Sequence, residues 1–220
     1  MGNFNWPLMS NNITQSDKKA LIKFINKTDK FTNGRNVKIF EKKWSKWLGV
    51  KYSTFVNSGA SANLLSIKIL KEFKKNKNEI ILPAFTWSSD VVSVINSGFK
   101  PIFVDINLKN LALDEELLKK KITKKTAAIF LTHAMGFLGI SKNFLKYIKQ
   151  KKIFLIEDTC ESHGISLDGK KGGALGQISN FSFYYSHHMS TIEGGMICTN
   201  SKEIDDLAKM KRGHGLLRDS

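Results

Sequence analysis

Short apolar runs alternate with amphipathic segments along the whole chain. Several runs are rich in β-branched or aromatic residues and have the length of strands: 53–56, 79–82, 101–105, 127–132, 153–158, 180–184 and 196–199. Other segments show the spacing or capping residues of helices: 16–27, 37–48, 60–73, 86–96 and 202–211. This alternation predicts an α/β fold in which helices cover a mainly parallel sheet.

The segment 37–48 shows a clear helical periodicity. Apolar residues that include Trp44 and Trp47 recur at helical spacing, and Gly49 is suited to end the helix. We interpret both tryptophans as residues of the core.

The chain carries a large positive charge that is almost entirely lysine. Its 220 residues include 35 basic and 19 acidic ones, a net charge of +16, and only Arg35, Arg212 and Arg218 are arginine. Many lysines lie in helix-like segments such as 119–125 and 146–152, which indicates solvated helix faces. Because arginine is the residue favoured for bidentate contacts with phosphates and bases, we expect no nucleic-acid partner.

Cysteine content and hydropathy indicate the cellular compartment. Cys160 and Cys198 are too few for a disulfide framework, and we interpret them as small buried residues. No apolar run reaches the length that spans a membrane, and the first residues lack a secretory signal pattern. We therefore expect a cytoplasmic protein that has no membrane partner.

Small, aromatic and acidic residues follow predicted strands, where α/β sheets commonly bind ligands. The turn at Gly59 and Ala60 is either an anion site or an ordinary helix cap. Trp87 either stacks on a flat ligand or fills the core. Asp158 ends an apolar strand and either binds a ligand or caps the following segment.

The most distinctive stretch is Phe-Ser-Phe-Tyr-Tyr-Ser-His-His at 181–188, closed by Glu-Gly-Gly at 193–195. Its histidines, His187 and His188, follow a predicted strand. We discount a zinc site formed with Cys198, because adjacent residues on a strand point to opposite faces, and we expect no metal site. A histidine at this place is suited to proton transfer.

This stretch resembles the active-site segment of the DegT/DnrJ/EryC1/StrS family of nucleotide-sugar aminotransferases. Members of that family are fold type I pyridoxal phosphate (PLP) enzymes with an aspartate aminotransferase-like large domain. A lysine that follows the aromatic strand binds their cofactor covalently, whereas this chain has His187 in its place. A histidine moves protons but forms no stable imine. The replacement resembles the 3-dehydratase branch of the family, which removes a sugar 3-hydroxyl.

The resemblance also assigns residues to the cofactor. A glutamate at position 161 resembles the dehydratase branch more than the aminotransferases. The implied cofactor-binding residues are Gly59, Ala60 and Ser182 for the phosphate, Trp87 for the ring face, Asp158 for the pyridine nitrogen and Glu161 near the ring hydroxyl.

The reaction implied by the resemblance removes a hydroxyl group from a sugar. Glutamate, as amino donor, converts PLP to pyridoxamine phosphate, which condenses with the ketone of a nucleotide-linked 4-keto-6-deoxy sugar. His187 acts as the general base, the 3-hydroxyl leaves, and hydrolysis releases a 3-deoxy sugar and ammonia. Members of the family are homodimers, so we expect a homodimer here.

The resemblance further implies a division of the chain. Residues 1–30 are expected to form an N-terminal segment. Residues 31–220 are expected to form the PLP-binding large domain, which stops before the smaller C-terminal domain that members of the family have.

Some alternatives stay open. Some dehydratases of the family hold an iron–sulfur cluster. Cys160 lies near one of their ligands, but Ser220 stands where they have cysteine, so the cluster-free branch is favoured. The other functions to weigh are a nucleotide-sugar aminotransferase and a non-catalytic binding protein that retains the fold.

Overall fold

A computed structural model describes residues 12–216 of the chain. The helices are α1 Gln15–Ile25, α2 Arg35–Leu48, α3 Gly59–Phe73, α4 Ser88–Asn96, α5 Glu115–Lys121, α6 Lys142–Gln150 and α7 Lys202–Arg212. The strands are β1 Tyr52–Val56, β2 Glu79–Pro83, β3 Lys100–Val104, β4 Ile106–Asn107, β5 Ala112–Leu113, β6 Thr126–Thr132, β7 Phe154–Asp158, β8 Ser166–Leu167, β9 Lys170–Lys171, β10 Ile178–Ser182 and β11 Gly195–Thr199.

The long strands form one seven-stranded sheet in the order β1-β11-β10-β7-β6-β2-β3. Neighbouring strands from β10 to β3 are parallel, whereas β11 runs antiparallel to both β1 and β10. The predicted mainly parallel sheet is therefore confirmed. The short strands form two separate ribbons, β4 with β5 and β8 with β9, which the sequence did not predict.

Helices cover both faces of the sheet. Successive strand residues face opposite sides, so Ile80 and Ile156 join one buried cluster while Ile81 and Leu155 join the other. The first cluster includes residues of α3, α4 and α7, and the second includes residues of α5 and α6. This double covering explains why the central strands are apolar along their whole length.

Helix α2 closes a third, aromatic cluster. The Trp44 ring lies 5.1 Å from that of Phe181 and 4.8 Å from that of Phe183, measured between ring centroids. The helix ends at Gly49, whose φ of 84° is left-handed, as predicted. The interpretation of Trp47 as a core residue was wrong, because Trp47 is 40% exposed.

Helix α1 begins with a capping box. The Thr14 hydroxyl accepts a hydrogen bond from the backbone N–H of Asp17, and the Asp17 carboxylate accepts one from that of Thr14. None of the residues of α1 is buried. The division of the chain after residue 30 stays a prediction.

Two predicted elements are shifted in the structure. The strand expected at 180–184 spans Ile178–Ser182, since its pairing with β7 begins at Ile178. The helix expected to begin at residue 86 begins at Ser88, because Trp87 keeps an extended backbone as its N-cap. As a result, Trp87 and residues 183–188 lie outside the helices and strands.

The lysine-rich segments are helical only in part. Helix α5 ends at Lys121 and α6 at Gln150, so the rest of 119–125 and of 146–152 lies outside them. The lysines at 120, 121, 146 and 149 are exposed, as expected for solvated faces. Among the described residues, no helix combines the length and the apolar character needed to cross a membrane.

Candidate active site

Most of the predicted site residues meet at the edge of the sheet where the parallel strands end. Strand β7 ends at Asp158 and β10 at Ser182, while Trp87 follows β2. Helix α3 begins at Gly59, directly after β1. In parallel sheets this edge is where loops form ligand sites.

The start of α3 is shaped to hold an anion. The first N–H groups of a helix have no acceptor within it, and Ser58 caps only the third residue, Ser61, at 3.1 Å. Within residues 12–216, the N–H groups of Gly59 and Ala60 have no acceptor, which fits a phosphate.

Gly59 also brings the start of α3 against β10. A Cβ at this position would lie 2.7 Å from the Cβ of Ser182 and 3.0 Å from the Sγ of Cys160. No larger residue fits without a shift of these neighbours. The predicted phosphate residues Gly59, Ala60 and Ser182 are therefore neighbours.

Asp158 is buried but keeps accepting capacity. Its Oδ2 accepts a hydrogen bond from Asn63 Nδ2 at 3.0 Å, and its Oδ1 accepts one from the Cys160 N–H at 2.9 Å. A carboxylate can accept about four hydrogen bonds, so it can still accept one from a protonated pyridine nitrogen.

Trp87 is not core filler. Its side chain is 66% exposed, at the N-terminus of α4. Thr86, beside it, donates to Asp90 at 2.5 Å and contacts Thr132 at 2.6 Å, which fixes this loop to β6. An exposed indole on a fixed loop is suited to stack on a ring.

Glu161 lies in the loop that follows β7. Its Oε2 accepts a hydrogen bond from the backbone N–H of Met135 at 3.2 Å. The next residue, Ser162, accepts one from the N–H of Gly136 at 2.9 Å and donates to the carbonyl of His133 at 2.5 Å. These bonds join the loops after β6 and β7.

His187 lies in a turn after β10, where its N–H donates to the carbonyl of Tyr184 at 3.0 Å. Burial lowers the pKa of His187 below its ordinary value, and the negative charges of Glu161 and Asp158 partly oppose that shift. Its imidazole is thereby favoured as a free base at neutral pH. His187 thus lies within electrostatic range of both acids.

The argument that His187 and His188 point apart on a strand was wrong. The strand ends at Ser182, and both rings approach His163, at 6.4 Å and 5.6 Å between centroids. Among the residues that the structure describes, no group of three histidines, cysteines or acids has the arrangement of a metal site.

Sequence reasoning missed three polar residues beside this site, of which Asn63 and Asp90 are buried and His163 is half-buried. Asn63 lies one helical turn after Gly59 and contacts Asp158, and Asp90 contacts Asn63. His163 lies two residues after Glu161, and burial, with the charges of His188 and His187, lowers its pKa to about 4. A polar residue inside an apolar segment was the available signal for Asn63 and Asp90.

The two cysteines are free thiols. Cys198 is buried, as interpreted, and burial raises its pKa to about 12. Cys160 is only half-buried, so the interpretation of it as a small buried residue was wrong. Its Sγ lies close to Gly59, where an added Cβ would be 3.0 Å from it. Ser220, the position weighed for an iron–sulfur cluster, lies outside the described residues.

Comparison with known proteins gives the same family as the sequence motif. The model of the DegT/DnrJ/EryC1/StrS aminotransferase family matches residues 12–220. The GDP-4-keto-6-deoxy-D-mannose 3-dehydratase of Yersinia pseudotuberculosis is 38% identical over 218 residues, which cover 97% of this chain and 55% of that protein. The chain spans about half the length of the curated relatives it matches.

Solved structures share the fold. The E. coli GDP-4-keto-6-deoxy-D-mannose-3-dehydratase with bound hydrated PLP superposes with a TM-score of 0.91 at 36% identity, covering 98% of this chain and 56% of that one. A GDP-4-keto-6-deoxymannose-3-dehydratase with a trapped PLP–glutamate geminal diamine superposes with a TM-score of 0.92, with the same identity and coverage. The predicted large-domain fold is thereby confirmed.

Proposed function

Since this chain belongs to the DegT/DnrJ/EryC1/StrS aminotransferase family, we propose that it forms the cofactor-binding part of a 3-dehydratase. The substrate is a nucleotide-linked 4-keto-6-deoxy sugar, the cofactor is PLP with its pyridoxamine form, and glutamate is the amino donor. The observation that carries the proposal is His187, an imidazole within electrostatic range of Asp158 and Glu161 where the family motif has lysine. The 3-dehydratases among the relatives support this reading.

The residues present fit PLP. The free N–H groups of Gly59 and Ala60, with the hydroxyl of Ser182, would hold the phosphate. Trp87 would cover the ring and Asp158 would bind the pyridine nitrogen, while Glu161 would lie near the ring hydroxyl. When bound, the cofactor supplies an electron sink for carbanion chemistry.

His187 does the proton transfer in this proposal. Its lowered pKa leaves a ring nitrogen free to accept a proton from carbon at neutral pH. The protonated ring then donates to the departing 3-hydroxyl. A histidine cannot anchor the cofactor, so phosphate, ring and pyridine contacts hold it without a covalent bond.

An aminotransferase is the alternative function, and it needs a lysine at the cofactor. Lys170 and Lys171 form strand β9. The Lys171 ammonium lies 5.2 Å above the Trp47 ring, on the outer side of α2. The structure therefore offers no support for a replacement lysine among these two.

Replacement of the imidazole tests the proposal. In the intact protein, His187→Asn is expected to lose about 10²–10⁴-fold in release of ammonia and 3-deoxy sugar, with the PLP dissociation constant nearly unchanged. His188→Asn is the matched control and should lose much less. Near-normal turnover by His187→Asn would contradict the assignment.

Borohydride distinguishes the alternatives directly. We expect that reduction of the intact protein with PLP leaves no lysine adduct detectable by mass spectrometry. A lysine adduct together with an aminated sugar product would establish the aminotransferase. If no cofactor binds and no sugar is turned over, the chain is a non-catalytic relative.

We also propose that the protein works as a homodimer in the cytoplasm. Several large apolar side chains around the site are 46% to 66% exposed, which favours cover by another surface; they are Phe85, Trp87, Met135, Phe137, Met189 and Ile192. Light scattering on the intact protein tests the dimer, and a monomeric mass at micromolar concentration would contradict it.

A further inference from the structure

Asp90 is a buried acid that the proposed function does not use. It lies in the first turn of α4, and its side chain is 0% exposed. Asp158 lies next to it with 4% exposure. Within the part of the chain that the structure describes, neither carboxyl forms an ion pair with lysine or arginine. Two adjacent buried carboxylates without a cation would repel each other strongly.

The short contacts around Asp90 favour an additional proton. Its Oδ2 lies 2.5 Å from the hydroxyl oxygen of Thr86 and 3.0 Å from that of Thr132. The two hydroxyl oxygens are 2.6 Å apart. These oxygens form a triangle, and each hydroxyl brings one hydrogen for one side. A proton on Asp90 Oδ2, donated to one threonine, frees the hydrogen of that hydroxyl for the side between the two threonines.

Asn63 links the two acids. Its Nδ2 donates to Asp90 Oδ1 at 2.6 Å and to Asp158 Oδ2 at 3.0 Å, so both amide hydrogens are directed at carboxyl oxygens. The N–H of Cys160 also donates to Asp158. Asp158 is thus surrounded by donors, as suits a carboxylate, whereas Asp90 has the pattern of a neutral acid.

The titratable groups around Asp90 agree with this pattern. Burial, and then the negative charge of Asp158 and a hydrogen bond with it, raise the pKa of Asp90 well above its ordinary value. The hydrogen bonds from Thr86 and Thr132 oppose that shift only in part. The Cys160 thiol, the other titratable group here, has a raised pKa as well, caused first by burial, so it adds no charge.

We propose that Asp90 is a positioning residue that stays a neutral acid at neutral pH and, through Asn63, holds Asp158 as the only negative charge of this buried pair. Asp158 then presents a fixed carboxylate to the pyridine nitrogen. This last step depends on the proposed function, whereas the neutral state of Asp90 does not.

The protonation state can be measured without any cofactor. Carbon NMR of the full chain with ¹³C-labelled aspartate is expected to show, at about pH 7, one carboxyl resonance at the position of a neutral acid. It should vanish in Asp90→Asn and persist in Asp205→Asn. Asp205 is the matched control, because it is equally buried but accepts from the Lys209 ammonium at 2.8 Å. A wild-type spectrum without a neutral-acid resonance would overturn the proposal, and that result needs no variant.

Cofactor binding tests the positioning role. Asp90→Asn mimics the neutral acid, so its PLP dissociation constant should stay within about threefold of wild type. Asp90→Ala leaves Asn63 and the threonines without their partner and should raise it about tenfold or more. The ¹⁵N shift of the bound pyridine nitrogen should stay that of the protonated form in Asp90→Asn. Equal weakening in both variants would show that the charge of Asp90 matters and would overturn the proposal.

The two hypotheses fail separately. If PLP does not bind to the wild-type chain but the neutral-acid resonance is present, the proposed function fails and the state of Asp90 stands. If PLP binds while every aspartate is ionised at neutral pH, the inference about Asp90 fails and the proposed function stands.

Discussion

Glu157 and Asp158 are adjacent acids on one strand, and their surroundings differ sharply. Glu157 accepts hydrogen bonds from the backbone N–H groups of Gly173, Leu175 and Gly176 at 2.7–2.8 Å. It also contacts the ring of His133 at 3.0 Å. Within residues 12–216, the N–H donors to Asp158 are those of Asn63 and Cys160. Glu157 is saturated and holds a loop, whereas Asp158 keeps capacity for a ligand.

Two further histidines, His133 and His163, repeat the contrast. His133 accepts from the Gly139 N–H at 2.9 Å, so its other nitrogen carries the proton and donates to Glu157. The Nε2 of His163, on the side of Asp158, has no partner in the structure as described. Saturated polar groups mark the face that supports the fold, and groups with unused bonding capacity mark the face of the site.

The largest effect on stability should come from Glu157, whose hydrogen-bonding capacity is filled. Glu157→Gln replaces one accepting oxygen by an NH₂ group, which leaves buried N–H groups unpaired at a cost of about 1–3 kcal/mol each. We expect the free energy of unfolding to fall by about 3 kcal/mol, measured by urea denaturation. A loss below about 1 kcal/mol would show that the loop at 173–176 does not depend on this acid.

Asp158, which keeps unused hydrogen-bonding capacity, should affect cofactor binding more than folding. Asp158→Asn removes the charge expected at the pyridine nitrogen, so the PLP dissociation constant should rise at least about tenfold. The free energy of unfolding should change by less than about 1 kcal/mol, because Asp158 has fewer partners than Glu157. Fluorescence titration and urea denaturation measure the two quantities. The comparison would be refuted by a variant that binds PLP normally but unfolds easily.

The smallest expected effect is on the pH dependence of folding stability. Because the folded pKa of His163 is lowered from 6.5 to about 4, the unfolded chain binds more protons in this range. The contribution of neutral His163 to stability is therefore present above the unfolded pKa of 6.5. It is lost as the pH falls towards about 4. At about pH 5.8, His163→Phe should lose roughly 1 kcal/mol less than wild type, each relative to its own value at about pH 8. Parallel pH profiles would show that His163 titrates normally.

Much of the fold follows from local patterns. The central strands were predictable because burial on both faces requires continuous apolar runs, and Gly49 was predictable as a helix end because its left-handed backbone favours glycine. The starts of β10 and α4 were misplaced by two residues. Strand pairing and the side-chain bonds of Thr86 decide these boundaries, and neither is a local property of the sequence.

The sequence by itself determined the chemistry available to the site. A histidine stands where the family motif has a lysine, and Asp158 ends an apolar strand. Alternation along a strand also determined that Glu157 and Asp158 face opposite sides.

Only the tertiary structure decided which acid faces the site and which partners it has. Asn63, Asp90 and Thr132 belong to separate segments that meet because α3, α4 and β6 adjoin in the folded protein. Hydrogen bonds act over about 3 Å, so protonation and bonding capacity depend on which distant segments the fold brings together.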